Sequence, residues 1–309
     1  MEIILILLIA LALDFIFGEP PNIWHPIAWL GKLISLETKY APQRNKIRQL
    51  AYGISMVLIT LGLIVTAVYF MLAYLSELSF VLYIITAGLL LKFSFSLRGL
   101  GQAIDTIKGS LAKDDLCQAR VSLKSLVSRN TTKLSKSRII SATVESAAEN
   151  ICDSFIAPLF YFLFLGVPGA IAYRVINTFD SMVGYHGRWE YLGRFAARLD
   201  DVANFIPARI TALIIVLASL IRRKNTSQAW HIMIRDHNKT ESPNAGWTMS
   251  AIAGALGVRL EKINHYRLGD AQYHLSLNTI NESRQIIIAT AAIWCLIAIL
   301  TEVIYFVVT

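Results

Sequence analysis

A long apolar run without charge is the feature that most constrains this chain. Tyr52 to Leu75 contains no charged side chain, and about 20 mostly apolar residues in a helix cross a bilayer core about 30 Å thick. Of the 309 residues, 55% are hydrophobic and 16% are charged, and the mean hydropathy is +0.53. Soluble domains carry about 25% charged residues. The composition therefore disfavours a soluble monomeric domain and excludes a disordered chain.

Further apolar segments predict more membrane helices. Two of them contain single charges, Lys92 and Glu302, and we expect Lys92 to snorkel towards the lipid surface. Two contain prolines and are interpreted either as spans or as re-entrant or interfacial segments. The sequence predicts an all-α, polytopic integral membrane protein with about 4–6 membrane segments. Besides 52–75, the candidate segments are 1–17, 80–97, 155–176, 205–221 and 285–309.

The first segment has a second interpretation as a signal peptide. It lacks the basic n-region of such a peptide, and we therefore interpret residues 1–17 as a retained helix.

Basic residues predict the orientation of the loops. The net charge is +8, and the two long loops at 98–154 and 222–285 each hold nine Lys or Arg. By the positive-inside rule both loops face the cytoplasm. We predict one membrane-embedded domain over residues 1–309, multi-pass in the cell membrane. These two helical loops would carry part of a cytoplasmic active site.

An acidic repeat is the strongest local candidate for chemistry. Glu145, Glu149 and Asp153 recur every four residues in a run that reads as helix, which places three carboxylates on one face. Like charges at this spacing repel, and Mg²⁺ is the hard cation that takes carboxylate oxygens and phosphate together. A solvated acidic face is the alternative. The run leads directly into an apolar segment, which favours a magnesium site.

Two more polar faces follow along the chain. Asn177, Asp180, Ser181 and Gly184 recur at i, i+3, i+4 and i+7, which is a cavity-facing pattern on an otherwise apolar helix. A single ion pair of Arg174 with a neighbouring carboxylate is an equally good account.

The next polar face combines cation, anion and amide. Asp201 lies three residues from both Arg198 and Asn204. A helix cap at Asn204 ahead of Pro207 explains those two residues but not the adjacent pair Asp200 and Asp201.

Two weaker signals complete the candidates. Ser242-Pro243-Asn244 is a turn whose polar groups suit an anion such as phosphate, although such turns commonly only cap helices. His25 lies beside Trp24, and a lone histidine there is more often a structural hydrogen-bonding residue than a base.

Taken together, these motifs resemble the CobD/CbiB family of cobalamin biosynthesis, the adenosylcobinamide-phosphate synthases. The resemblance covers most of the chain, and it departs from the family pattern in loops, for example at Glu19, where the family tends to have Asp. The residues that carry it are Asp14, Gly18, Pro20, His25-Pro26 and Gly31; Ala119-Arg120 and Arg129; Glu145, Glu149, Asn150 and Asp153; Ala157-Pro158-Leu159; Asn177-Thr178, Asp180-Ser181-Met182 and Gly184-Tyr185; Arg198, Asp200-Asp201, Asn204 and Pro207-Ala208-Arg209; and Ser242-Pro243-Asn244, Gly246 and Ala253-Gly254-Ala255-Leu256-Gly257.

The resemblance implies an integral membrane ligase. Its reaction would be ATP-dependent and magnesium-dependent amide formation between adenosylcobyric acid and (R)-1-amino-2-propanol phosphate or ethanolamine phosphate, giving adenosylcobinamide phosphate. Its partners would be these substrates, membrane lipid and other membrane enzymes of the pathway. A nucleic-acid role lacks support, since the basic residues are scattered through loops.

On this chemistry we assign roles as hypotheses. Glu145, Glu149 and Asp153 would hold magnesium and, through it, ATP. Glu149 is also taken as catalytic, together with Asp180 or Asp201 as the base that deprotonates the attacking ammonium. Arg198 and Arg209 would clamp phosphate or carboxylate. The remaining substrate-binding candidates are His25, Asn150, Asn177, Asn204, Ser242 and Asn244.

Two other function classes remain open. A transporter would carry acidic residues in broken helices as well, but should show repeat symmetry and mid-span charges. A non-enzymatic membrane scaffold or sensor of a related family would not need the acidic repeat with its Asn and Arg neighbours.

Overall fold

The fold is built almost entirely from helices, as the sequence predicts. A computed structural model describes residues 2–43, 45–184, 187 and 189–308. Four helical runs are long and apolar enough to cross a membrane, and counting the broken pair Glu190–Ala203 and Phe205–Ile221 as one span gives a fifth. The predicted all-α, polytopic fold class is therefore confirmed. The four runs are Lys46–Leu78, Phe80–Ala112, Lys136–Val183 and Leu277–Val308.

By its internal contacts the chain forms two compact units, each assembled from separate stretches. Unit 1 comprises Met1–Ser96, Ala157–Ala203 and Ile299–Thr309, and unit 2 comprises Leu97–Ile156 and Asn204–Ala298. The single domain expected over 1–309 stays a prediction.

Unit 1 holds most of the apolar helices. Helix α1 has only 16 residues, about 24 Å of rise, and its role as a span stays a prediction. Helix α1 packs against α4, and α3 packs against both α4 and α9. The helices are α1 (Glu2–Phe17), α2 (Pro26–Lys39), α3 (Lys46–Leu78), α4 (Phe80–Ser94), α8 (Ala157–Val183) and α9 (Glu190–Ala203).

Two glycines shape the paired helices α8 and α9. Gly166 has φ 65° and ψ −164°, which kinks α8 just before Pro168. At Gly193 of α9, a Cβ atom would lie 1.7 Å from the carbonyl oxygen of Val183. Only glycine permits that approach, and it fixes the part of α9 that carries Arg198, Asp200 and Asp201.

Unit 2 contains the shorter helices and a hairpin. The strands β1 and β2 are antiparallel, with Leu260 opposite Leu268. The sequence-based prediction of an all-helical loop missed this hairpin. The elements are α5 (Leu97–Ala112), α6 (Leu116–Leu123), α7 (Lys136–Ile151), a π-helical turn (Cys152–Ile156), α10 (Phe205–Ile221), α11 (Thr226–Asp236), α12 (Ala245–Leu256), β1 (Leu260–Lys262) and β2 (Tyr266–Leu268), and α13 (Leu277–Val308) runs from unit 2 into the residues of unit 1.

The π-helical turn corrects the predicted acidic helix. The four-residue repeat predicts an α-helix through Asp153, but α7 ends at Ile151 and a wider turn follows. Pro158 has no N–H to donate to the carbonyl of Ser154, and its ring crowds that carbonyl. A widened turn accommodates both effects.

Candidate active site

The buried carboxylate of Glu145 accepts hydrogen bonds from three side chains. Glu145 is 3% exposed. Its Oε1 accepts a hydrogen bond from Ser141 Oγ at 2.5 Å, and its Oε2 accepts from Arg129 Nη2 at 3.2 Å and from Tyr266 Oη at 3.0 Å. Glu145 therefore joins the Arg129 loop to the hairpin.

The charge state of Tyr266 suits this role. Burial first, and then the neighbouring charges of Glu145 and Glu149, raise the pKa of Tyr266 above its usual range. The phenol thus keeps its proton and remains a donor to Glu145.

Within the described ranges, no group of three or more His, Cys, Asp or Glu side chains is arranged to hold a metal ion. Magnesium binding by Glu145, Glu149 and Asp153 stays a prediction. Glu149 and Asp153 are half-buried, and Mg²⁺ commonly takes one or two carboxylates and completes its shell with phosphate and water.

A second set of contacts surrounds the start of α10. Asn204 lies at the N-cap position but has φ −84° and ψ −6° and makes no side-chain cap bond. The capping alternative for Asn204 is therefore wrong. Instead the Oδ1 of Asn204 lies 3.9 Å from Cys152 Sγ. Cys152 is the first residue of the π-helical turn and directly precedes Asp153.

One turn further along α10, Arg209 meets the turn that precedes α12. Its Nη1 donates to Asn244 Oδ1 at 3.2 Å, and its guanidinium lies 3.6 Å from the centre of the Phe205 ring and 5.0 Å from that of Trp247. The backbone N–H of Asn244 donates to Ser242 Oγ at 3.2 Å. Arg209, Ser242 and Asn244 therefore form one local cluster. Asn150 lies in α7, where its Nδ2 donates to the carbonyl of Ser146 at 2.8 Å.

Unit 1 brings together its own predicted residues. Asn177 of α8 is buried, and its Nδ2 donates to Asp200 Oδ1 of α9 at 3.2 Å. Arg198 and Asp201 form an ion pair at 3.8 Å, in which the Arg198 side chain is 75% exposed. This pair lies at the surface and contributes little to stability.

Asp180 lies at the end of α8. Its carbonyl accepts the N–H of Gly184 at 2.8 Å, and a Cβ at position 184 would lie 2.0 Å from its Oδ1. The glycine thus makes room for the Asp180 carboxylate. The Tyr185 and His186 positions of the same motif lie outside the described residues.

His25 belongs to a charged cluster that the sequence analysis missed. Its Nδ1 accepts from the N–H of Ile27 at 3.2 Å, so the proton of the neutral ring lies on Nε2, which is 2.5 Å from Glu19 Oε2. Glu19 Oε1 in turn accepts from Lys92 Nζ at 2.9 Å, and Lys92 lies 3.3 Å from Asp14. We call these four side chains the Lys92 cluster.

The Lys92 cluster corrects the expectation of snorkelling. Lys92 is 3% exposed and Asp14 is 4% exposed, so the ammonium lies inside the helix bundle of unit 1. The signal in the sequence is the pair of opposite charges in two apolar segments. Burial raises the pKa of Glu19, but its hydrogen bonds to His25, Ser96 and Lys92 outweigh burial and lower it to about 2.

Comparison with known proteins agrees with this arrangement of motifs. The family model described as CobD/Cbib protein matches residues 7–295. The chain belongs to the CobD/Cbib family. It is 52% identical to the cobalamin biosynthesis protein CobD of Dehalococcoides mccartyi, over 99% of both chains.

Two further CobD relatives are less similar to this chain. The chain is 42% identical to the probable cobalamin biosynthesis protein CobD of Methanothermobacter thermautotrophicus over 86% of each chain. It is 37% identical to that of Methanocaldococcus jannaschii over 95% of this chain and 97% of the relative. No solved structure matches.

Proposed function

We propose that this protein is a membrane enzyme of cobalamin biosynthesis. The observation that carries this proposal is similarity over 99% of both chains to a relative named a cobalamin biosynthesis protein. Its reaction would join the carboxylate of adenosylcobyric acid to the amine of (R)-1-amino-2-propanol phosphate or ethanolamine phosphate, with ATP and magnesium. ATP would transfer its terminal phosphoryl group to the carboxylate, and the amine would displace phosphate from this acyl phosphate. The products would be adenosylcobinamide phosphate, ADP and phosphate.

The polar cluster of unit 2 supports a role in phosphate chemistry. Glu149 and Asp153 would supply carboxylate oxygens to magnesium, which lowers the charge repulsion of bound ATP phosphates when present. Arg209, held by Asn244 and stacked on Phe205, presents a guanidinium that suits phosphate or carboxylate. Glu145 acts as a positioning residue here, since its oxygens hold Arg129 and Tyr266.

Asp180 and Asp201 are the candidates for the base in the proton step of the proposed reaction. An ammonium must lose a proton before its nitrogen attacks a carbonyl carbon. Asp180 and Asp201 are half-buried carboxylates, and one of them would take that proton. The residues that stay candidates for substrate binding are His25, Asn150, Asn177, Arg198, Asn204, Ser242 and Asn244. The protein would lie in the cytoplasmic membrane, and its active site would face the cytoplasm.

The test is turnover by the purified full-length protein in detergent. We expect adenosylcobyric acid to gain the mass of the amide-linked amino alcohol phosphate, only with ATP and magnesium present. Glu149→Gln should abolish this product. The control is Glu261→Gln, because Glu261 instead pairs with exposed Arg267 on the hairpin.

Two results would contradict the proposal. Unchanged corrinoid in the presence of a folded, corrinoid-binding protein would argue for transport or a scaffold role. Equal turnover by Glu149→Gln and the unmodified protein, across a magnesium titration, would remove Glu149 from the metal site.

A further inference from the structure

A polar cavity lies at the far end of α10 from Arg209. It has a volume of about 520 Å³ and is bounded by residues 223–225, the end of α12, residues 272–276 and the start of α13, all in unit 2. Small-molecule sites occupy about 300–1,000 Å³. Arg209 and Arg222 are 13 residues apart along the chain, and at 1.5 Å per residue the cavity lies about 20 Å from the Arg209 cluster.

The charges that line this cavity favour an anion. Glu282 is the acidic residue of the lining. Its Oε1 forms an ion pair with Lys224 Nζ at 2.5 Å and accepts a hydrogen bond from Asn278 Nδ2 at 3.1 Å. Arg223 also lines the cavity, and it makes no ion pair within the part of the chain that the structure describes. His274 adds an imidazole. The cavity therefore carries an excess positive charge.

The end of α10 places Arg223 in a backbone position where glycine is the usual residue. The N–H of Arg223 donates to the Leu220 carbonyl, and that of Lys224 donates to the Ser219 carbonyl. This is the Schellman pattern, in which glycine is the usual residue at the left-handed position. Arg223 occupies that position with φ 52°, a conformation that costs about 1–2 kcal/mol for residues other than glycine. A strained arginine at a cavity suggests a side chain retained for its chemistry.

We propose that this cavity binds a phosphate group, with Arg223 as the residue that recognises it. Guanidinium groups pair with phosphate through parallel hydrogen bonds, and His274 lies in the same lining. The phosphate belongs either to a soluble phosphate ester or to a lipid headgroup. This site is separate from the proposed ligase centre, and each proposal can fail without the other.

The strain at Arg223 provides the decisive variant. Arg223→Gly removes the guanidinium and relieves the left-handed backbone, so the full-length protein should keep or raise its Tm while it loses phosphate. Asp114→Gly is the matched backbone control, since Asp114 also has a positive φ (54°) and is not among the residues lining this cavity. Lys133→Gln is the matched charge control, an exposed cation elsewhere in unit 2.

Binding is measured by calorimetric titration of the detergent-purified protein with inorganic phosphate, phosphoethanolamine and ATP. The titrations are repeated in Arg209→Gln, so that binding at the other cluster is separated. A parallel arm uses nanodiscs containing phosphatidic acid or only phosphatidylcholine, with retained lipid identified by mass spectrometry. We expect Arg223→Gly to weaken binding by about tenfold or more, as loss of a charge-assisted hydrogen bond implies.

The two arms identify the source of the phosphate. Binding of soluble phosphates that depends on Arg223 supports a soluble ester, and selective retention of phosphatidic acid that depends on Arg223 supports a lipid. Absence of binding in both arms would overturn the proposal. So would equal affinity in Arg223→Gly and the unmodified protein, or equal losses in Arg223→Gly and Lys133→Gln.

Discussion

Replacing Lys92 by methionine should destabilise the protein far more than removal of an exposed ion pair. Lys92 Nζ lies 3.3 Å from Asp14 and 2.9 Å from Glu19, and the side chains of Lys92 and Asp14 are only 4% and 5% exposed. Methionine preserves the length and apolar stem of lysine, so the change isolates the charge. It leaves two carboxylates together without their shared cation.

The magnitude follows from the burial of this pair. Breaking a buried ion pair costs about 3–5 kcal/mol, because the remaining charge is desolvated and uncompensated. At about 2–4 °C per kcal/mol for a chain of this size class, we expect Tm to fall by about 6–20 °C. The control Lys136→Met breaks a pair with Asp114 in which the side chains are 42% and 80% exposed, and it should cost at most about 1 kcal/mol.

The assay is thermal unfolding of both variants in the same detergent, monitored by intrinsic fluorescence. A double variant, Lys92→Met with Asp14→Asn, removes the charge of the most buried partner as well and should recover part of the lost Tm. Equal, small shifts for Lys92→Met and Lys136→Met would refute the reasoning, because the ammonium would then be solvated in the folded protein.

Three further predictions concern Glu19, Tyr266 and Asp236. The pKa of Glu19 is lowered from 4.5 to about 2. The stabilising effect of its ionised carboxylate is therefore present above about pH 4.5 and is lost as the pH falls towards 2. The Tm difference between the unmodified protein and Glu19→Gln should shrink over that range. Tyr266→Phe removes a donor to buried Glu145 and should cost about 1.5–3 kcal/mol, whereas the same change at exposed Tyr273 should leave Tm unchanged. Asp236→Asn should cost about 3–5 kcal/mol in chemical unfolding, because Asp236 is fully buried between two cations; a loss below 1 kcal/mol would contradict this.

The membrane helices were predictable because their signal is local. The apolar run at 52–75 lies inside α3, and the run at 285–309 lies inside α13 as far as residue 308. Hydropathy over about 20 residues carries this information without any knowledge of packing. The small hairpin at 260–268 was not predictable in the same way, since strands of three residues lack a readable alternation.

The polar sites were predictable in composition but not in pairing. Periodicity singled out Glu145 as a candidate, but its partners Arg129 and Tyr266 are 16 and 121 residues away. Likewise the partner of Asn177 is Asp200, on a different helix. Long-range pairing depends on tertiary packing, which no local pattern encodes. For the same reason the sequence analysis expected Lys92 to snorkel and did not predict the Lys92 cluster.

The order of residues in the Lys92 cluster has a consequence during synthesis of the chain. Asp14, Glu19 and His25 all precede Lys92, and at about 5–20 residues per second they leave the ribosome several seconds before it. Lys92 therefore enters the bilayer after Asp14 and Glu19, the two carboxylates that pair with it, have been synthesised. An ammonium that arrived first would face lipid alone, at a cost of about 2.5–3.5 kcal/mol on insertion scales. Circular permutation that moves α1 behind α4 should for this reason lower the yield of inserted protein, even though every native contact remains available.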